Sequence, residues 1–174
     1  MTNAPTLYDQ DFVAWTKEQA AGLRAAARTG NNRALDWENL AEEVEDLGRA
    51  VRYELRSQLT RIIRHLLKLQ QSSAREPRLG WKESIREARS EIEDLLSDNP
   101  SLRRDLNRLV AEQVPRAAKL AIADLEDYGE LDPSRRELLR SASYTAGEIL
   151  GDWFPPEPIR PEPDSAARPR SRRR

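Results

Sequence analysis

One uninterrupted stretch, residues 36–71, constrains the fold more than any other part of the chain. Apolar residues recur through it at steps of three and four, which places them on one face of an α-helix. They are Leu40, Val44, Leu47, Val51, Leu55, Leu59, Ile62, Leu66 and Leu69. Because no proline interrupts the stretch, we predict a single helix of roughly 50 Å at 1.5 Å per residue. Acidic residues fill its first third and basic residues the rest, a gradient that helix electrostatics explains in part.

The composition favours helices elsewhere too. Charged residues make up 34% of the 174 residues and aromatic residues only 6%, a balance typical of helices packed through Leu and Ala. We find no run of alternating polar and apolar residues long enough for a strand. A first helix begins near Phe12, with Asp9 or Asp11 as its N-cap. The predicted fold class is therefore all-α.

Proline and glycine divide the middle of the chain. Residues 72–80 contain both and are predicted to form a loop, followed by a third helix from about Trp81 to Ser97. Pro100 suits the start of a fourth helix, because the first helical position has no use for an amide hydrogen. Pro115 lies inside that fourth helix and should kink or divide it near Ala111.

The C-terminal part is predicted to be a pair of short helices and a tail. Asp132 and Pro133 open one helix, and Thr145 with Glu148 fits a capping box at the start of the next. We therefore predict one helical bundle over residues 1–156, organised around the long helix 36–71, with the kinked helix after Pro100 and the C-terminal helix pair. Residues 157–174, rich in Pro and Arg, are predicted to be a disordered tail.

The sequence disfavours several classes of function. It has no cysteine, which excludes disulfides, thiol catalysis and thiolate zinc sites. It has neither a run of about 18 apolar residues nor a secretory signal, so we expect a cytoplasmic protein without a membrane partner. Residues 160–174 carry a net charge of +4 and leave −5 for the rest. This acidic body disfavours nucleic-acid binding, although the tail could contact phosphate weakly.

Two polar residues interrupt the apolar stripe of the long helix. Gln58 and His65 lie on it one heptad apart, and buried polar groups without partners cost roughly 1–3 kcal/mol each. We therefore expect polar partners from another helix or subunit; the candidates are Gln19, Arg86, Arg89 and Gln113. The cluster of Gln58, His65, Arg86 and Arg89 is either a satisfied core network or a small polar pocket.

No residue is assigned a catalytic role, and no metal or cofactor is expected. His65 is the single histidine, and no nucleophile or water site is marked for it to activate. The acidic residues of the long helix lack the Glu-x-x-His motif of carboxylate-bridged metal bundles. Gly48, inside the long helix, costs about 0.5–1 kcal/mol relative to Ala. Its predicted use is the close approach of another helix.

Several separated segments match one family pattern in order. They are Tyr8-Asp9-x-Asp11-Phe12-x-Ala14-Trp15-x4-Ala20, Leu23-Arg24, Asn39-Leu40-x-Glu42-Glu43-Val44-Glu45-x-Leu47-Gly48-Arg49, His65-Leu66-Leu67-Lys68, Asn99-Pro100-Ser101-Leu102-Arg103 and Tyr144-Thr145 to Leu150. Over about residues 7–155 the chain resembles the bacterial family called domain of unknown function 29. It departs at Leu69, where the family often has an aromatic residue. The resemblance implies an all-helical protein of cyanobacterial or proteobacterial type and no established activity.

We predict a protein-interaction or structural module that acts as a homodimer. A helix this long is difficult to cover within so small a domain, so the stripe near Leu40–Val51 is expected to pack against a second subunit or another protein partner. The first alternative is an enzyme or small-ligand-binding protein with a polar pocket around His65. The second is weak nucleic-acid binding by the arginine-rich tail.

Overall fold

The structure, a computed structural model, describes residues 5–29 and 35–158. Within these ranges all regular structure is helical and no residue lies in a strand, so the predicted all-α class is confirmed. The tail predicted at 157–174 falls almost wholly on residues 159–174, which lie outside the described residues. Its disorder stays a prediction.

The helices follow one another with short connections. They are α1 (Leu7–Gln10), α2 (Phe12–Arg28), α3 (Trp37–Gln71), α4 (Glu76–Asp98), a 3₁₀ helix (Pro100–Asp105), α5 (Leu106–Asp127), α6 (Pro133–Arg140) and α7 (Ala146–Leu150). The predicted long helix is present as α3, and the Asp36 side chain caps it by accepting a hydrogen bond from the Asn39 amide. The predicted capping box of Thr145 and Glu148 opens α7.

The third helix, α4, is longer than predicted. It begins at Glu76, so the predicted loop at 72–80 is wrong beyond residue 75. Pro77 and Gly80 suggested a break, but Pro77 stands in the first turn, where its missing amide hydrogen leaves no bond unmade. The buried Arg78 side chain donates to the carbonyl oxygens of Leu69 and Ser72. This contact ties the new helix to the end of α3.

Proline has a smaller effect on the fourth helix than predicted. Pro100 opens the 3₁₀ helix, and α5 then runs continuously across Pro115, which does not divide it. Pro115 and Ala111, the residue whose carbonyl loses its helical partner, are both exposed. Water can therefore satisfy that carbonyl, and the helix continues at low cost.

The core surrounds the C-terminal half of α3. Both α4 and α5 pack along this half, and α6 and α7 add Leu139 and Ile149. Seven α3 side chains there are almost completely buried: Leu55, Leu59, Ile62, Ile63, Leu66, Leu67 and Leu69. These residues lie on several sides of the helix and not on one stripe, because partners cover α3 from more than one direction.

The N-terminal half of α3 packs chiefly against α2, and we call these two segments (Phe12–Arg28 and Trp37–Glu54) the arm. Gly48 lies against Thr16, and the Arg24 guanidinium is 2.7 Å from the Glu45 carboxylate. The order of these contacts makes α2 antiparallel to α3. A Cβ on Gly48 would overlap the Thr16 hydroxyl, so this glycine lets the two helices approach closely.

Candidate functional site

The four residues of the predicted polar cluster do not come together. His65 lines a groove beside α5, whereas Arg86 and Arg89 line a different cavity beside α7. Gln58 lines neither of the two. The helical period places Gln58 and His65 one heptad apart on α3, but it carries no information on which face of α4 meets them.

The expected partners of Gln58 and His65 are absent as well. Gln58 donates from Nε2 to Glu54 Oε1 of its own helix at 2.6 Å. Across residues 5–29 and 35–158, the buried Gln58 Oε1 and His65 Nδ1 atoms have no hydrogen-bond partner. Of the four candidates, Gln113 comes nearest to the expectation, because it bridges α3 and α5 by accepting a hydrogen bond from Thr60 at 3.3 Å.

Arg89 holds the C-terminal segment to α4. Its guanidinium donates to the carbonyl oxygens of Ile149 and Trp153, both at 2.8 Å, and of Glu148 at 3.3 Å. Arg86 and Arg89 also lie over the Phe154 ring. The adjoining cavity of about 770 Å³ is therefore bordered by a buried arginine whose donors are occupied by backbone.

The groove beside His65 has a volume of about 610 Å³ and lies between α3 and α5. Its lining is largely polar, and four of its five charged residues are arginines: Tyr53, Arg56, Ser57, Thr60, Arg61, Arg64, His65, Glu112, Gln113, Arg116 and Leu120. We call it the basic groove. A site of this size falls within the range of small-molecule pockets, about 300–1,000 Å³.

An ion-pair layer lies at one end of the basic groove. Arg64 makes a two-bond contact with the Asp124 carboxylate, and the buried Lys68 ammonium lies 2.9 Å from the same carboxylate. Burial raises the pKa of Asp124, but the hydrogen bonds from Arg64 and Lys68 outweigh it and hold that pKa below its ordinary value. Lys68 also lies over the Trp81 ring, 4.7 Å from its centroid. This layer joins α3, α4 and α5.

His65 is neutral at physiological pH. Its pKa is lowered to about 4, chiefly by burial and then by the nearby charges of Lys68, Arg64 and Arg61, which outweigh the opposite effect of Asp124. Because the positive charges around it are fixed, a proton on His65 would be repelled. The ring therefore contributes a neutral polar surface to the groove.

Two arginines of the groove lack a hydrogen-bonded carboxylate. Arg56 comes no closer than 3.8 Å to Glu112, beyond hydrogen-bond distance. Arg116 has no ion-pair partner in the described part of the chain. Arg61 differs, because its guanidinium bonds to Ser84 and Glu87 of α4. Arg56 and Arg116 are therefore the cations available to a ligand.

Sequence reasoning named His65 and Gln113 but missed the arginines around them. The signal was present, since Arg61, Arg64 and Lys68 are spaced three and four residues apart and follow Arg56 on the same helix. That spacing indicates a basic stripe beside the apolar one. In the sequence alone, this stripe is also the basic end of the charge gradient along the helix. Arg116 has no such local pattern, and only the packing of α5 brings it to the groove.

The arm presents a second surface. Leu40 is 41% exposed and Leu47 is 51% exposed, while Val44 and Val51 between them are half-buried. About 100° around the same helix, Ala41 and Gly48 are buried, and α2 packs on this side. One side of the α3 stripe is thus covered within the chain, and Leu40 and Leu47 are open to solvent.

Two further properties of the described residues bear on function. No three or more His, Cys, Asp or Glu side chains within 5–29 and 35–158 form a group that could hold a metal ion. None of the helices in these ranges combines the length and apolar character needed to cross a lipid bilayer.

Together these features define an all-α protein in which one long helix carries a helical core at one end and a two-helix arm at the other. The chain belongs to the family described as Domain of unknown function DUF29, whose model matches residues 7–154; the resemblance seen in the sequence is thereby confirmed. The crystal structure of an α-helical protein of unknown function from Rhodospirillum rubrum is similar, with 22% sequence identity and a TM-score of 0.61. The match covers 87% of this chain and all of that one, and at this identity it shows the fold alone. No curated protein matches the sequence.

Proposed function

We propose that this protein is an interaction module that forms a homodimer through the apolar face of its arm. The observation that carries the proposal is the exposure of Leu40 and Leu47 at 41% and 51% on a helix whose adjacent side, at Ala41 and Gly48, is covered by α2. Exposed leucines one heptad apart on a two-helix arm are typical of an incomplete helical bundle.

The face extends from α3 onto α2. Helical geometry places Phe12, Trp15, Leu23 and Ala26 of α2 on one stripe, and all four are only half-buried. The buried contact with α3 is made instead by Val13, Thr16 and Ala20. Because the two helices are antiparallel, this half-buried stripe lies on the same side of the arm as Leu40 and Leu47. The result is one apolar face built by both helices.

A second copy of the chain is the partner that fits this face. Two antiparallel hairpins that join their apolar faces make a four-helix bundle, in which every stripe is covered. A two-fold axis allows the same face to serve both subunits. Residues 36–46 of α3 carry six acidic and no basic residues, and Arg49, Arg52 and Arg56 follow. Antiparallel α3 helices would place the acidic end of each beside the basic segment of the other, which favours this orientation.

Sedimentation equilibrium at tens of micromolar tests the proposal. The wild-type chain is expected to be dimeric and the Leu47→Glu variant monomeric, because a carboxylate at the centre of the face would be desolvated. Leu79→Glu is the matched control, since Leu79 is 78% exposed and lies on α4, away from the arm. A monomeric wild-type chain would contradict the proposal, and so would a dimer that Leu47→Glu leaves intact.

The second candidate function is small-ligand binding in the basic groove. The observation that favours it is the pair of arginines, Arg56 and Arg116, that line the groove without a hydrogen-bonded carboxylate. A groove whose cations are not hydrogen-bonded to carboxylates, and which also carries several hydroxyl groups, has the polar character of a ligand site. This candidate does not depend on dimerisation.

A further inference from the structure

We propose that the basic groove binds the phosphate group of a small phosphorylated molecule, held between Arg56 of α3 and Arg116 of α5. The inference rests on the second candidate function and names its ligand class. The groove volume of about 610 Å³ suits a small metabolite.

The charge of the groove favours a doubly charged anion. Its lining residues include four arginines and one glutamate. Two of the arginines, Arg61 and Arg64, already bond to carboxylates of α4 and α5. The other two, Arg56 and Arg116, have no such bond. A phosphate monoester carries about −1.5 to −2 charges at pH 7, so it can neutralise both guanidinium groups, whereas a single carboxylate would leave one unpaired.

The geometry of the donors supports the same ligand. Guanidinium groups form paired hydrogen bonds to the oxygens of a phosphate. Ser57 and Tyr53 add hydroxyl groups to the lining, and neither has a hydrogen-bond partner in the described part of the chain. Donors therefore come from both α3 and α5. A phosphate monoester has three terminal oxygens, enough acceptors for donors from both helices.

Glu112 is the one acidic side chain of the lining, and it is already engaged. Its Oε1 accepts a hydrogen bond from Arg108, and Arg56 lies 3.8 Å from its other oxygen. Glu112 thus limits the attraction for anions without removing it. The same contact with Arg108 also draws Glu112 to the outer, exposed side of α5.

Isothermal titration calorimetry at low ionic strength tests the proposal with three probes: inorganic phosphate, ribose 5-phosphate and succinate. Succinate matches the charge of the phosphate dianion but spreads it over two carboxylates. We expect both phosphate probes to bind more tightly than succinate. Arg116→Ala and Arg56→Ala should each weaken phosphate binding about tenfold or more, as expected for the loss of a charged hydrogen bond. Lys119→Ala is the matched control, because Lys119 lies on the same helix, is exposed and lines no part of the groove.

The pKa of His65, measured by NMR, is an independent test of phosphate binding. His65 is the single histidine of the chain, so its imidazole signals are unique in the spectrum. A bound phosphate would offset the surrounding positive charge, so the pKa of His65 should rise when ribose 5-phosphate is added. The same rise should be absent in Arg116→Ala.

The outcomes separate two claims: that the basic groove binds a small ligand, and that this ligand carries a phosphate group. Phosphate binding that Arg116→Ala and Lys119→Ala weaken equally, or not at all, would overturn the assignment to this groove. Tighter binding of succinate than of either phosphate probe would overturn the phosphate class and leave the groove as a ligand site. Absence of binding by all three probes at 10-millimolar-scale concentrations would contradict both the phosphate proposal and the second candidate function.

Discussion

At the scale of single residues, several buried polar side chains of this protein hold one segment of backbone to another. Arg89 binds carbonyl oxygens of the segment around α7, and Arg78 binds carbonyl oxygens at the end of α3. Both arginines satisfy acceptors that a helix end or a loop leaves open. Arg78 nevertheless keeps two buried nitrogens, Nε and Nη2, without a hydrogen-bond partner among the described residues, as do Gln58 at Oε1 and His65 at Nδ1.

The neutral state of His65 makes stability depend on pH. The pKa of His65 is about 4 in the folded chain, chiefly through burial, against an ordinary value of 6.5. The unfolded chain therefore binds more protons between these values, and stability is full above pH 6.5 and falls as the pH drops to about 4. We expect the protonation of His65 to lower the free energy of unfolding by about 1 kcal/mol between pH 7 and pH 5, after allowance for the partial exposure of its side chain to solvent.

His65→Gln tests this prediction, because glutamine is polar but does not titrate. Urea denaturation at pH 7 and pH 5 gives the change in the free energy of unfolding between the two pH values, for the wild type and for His65→Gln. The carboxylates of the chain contribute to this change in both proteins. The change should be smaller in His65→Gln than in the wild type. Equal changes in the two proteins would show that His65 does not titrate in this range.

Gly48 gives a steric prediction. Alanine normally improves a helix by about 0.5–1 kcal/mol over glycine, but a Cβ here overlaps the Thr16 hydroxyl. We expect Gly48→Ala to destabilise the chain by about 1–2 kcal/mol in urea denaturation. Gly80→Ala is the control, because Gly80 lies in α4 with nothing near its Cβ position, and it should be neutral or stabilising.

Removal of the obstructing hydroxyl should restore the close contact. The double variant Thr16→Ala with Gly48→Ala is therefore expected to be more stable than the sum of the two single effects. Additive effects would mean that Gly48 and Thr16 do not limit the approach of α2 and α3.

At the scale of elements, one polar junction fixes the base of the arm. Asp11 caps α2 through Ala14 and also accepts hydrogen bonds from the amide and hydroxyl of Ser101. Asn99 accepts from the Val13 amide at 3.1 Å and donates to the Leu95 carbonyl at 2.9 Å. The segments around Asp11 and Asn99, which both carried the family resemblance, thus contact each other in the fold.

The two helix caps of the arm should differ in their effect on stability. Asp36 caps α3 at an exposed position, and Asp36→Ala is expected to cost about 1 kcal/mol, as for an ordinary N-cap. Asp11 is buried and joins two elements, so Asp11→Ala should cost about 2–3 kcal/mol. Thermal or urea unfolding measures both variants. Similar losses would show that the contact with Ser101 adds nothing to the cap.

At the scale of the whole molecule, α3 belongs to the helical core along one half of its length and to the arm along the other. Its C-terminal half is enclosed by α4, α5 and the C-terminal helices, and its N-terminal half belongs to the arm. The arm half keeps Leu40 and Leu47 in solvent, and this difference is the basis of the proposed dimer.

Dimerisation through the arm predicts a stability that depends on protein concentration. Dissociation must accompany unfolding in a dimer, so its melting temperature rises with concentration by mass action. We expect the wild-type melting temperature to increase by several degrees between about 2 and 200 µM. Leu47→Glu should show no such increase, whereas Leu79→Glu should behave as the wild type. A melting temperature independent of concentration in the wild type would contradict the dimer.

The sequence was sufficient for the fold class and for most helix ends. The three- and four-residue spacing from Leu40 to Leu69 predicted α3, and Asp36, Asp132 and Thr145 marked helix starts that the structure places at those residues. These are local features, since capping and helical period depend on residues within one or two turns. The start of α4 was predicted five residues too late, because the arginine contact that extends it joins residues nine apart.

The candidate sites depended on tertiary structure in a way that no local pattern records. By itself, the sequence determined that α3 forms, that it is amphipathic, and that Gln58, His65 and Gly48 interrupt its regularity. Only the packing of α5 placed Arg116 and Gln113 beside His65, and only the packing of α2 covered one side of the stripe while leaving Leu40 and Leu47 exposed. The physical reason is that helical periodicity fixes directions around one axis, whereas the neighbour in each direction is set by contacts between residues far apart in the chain.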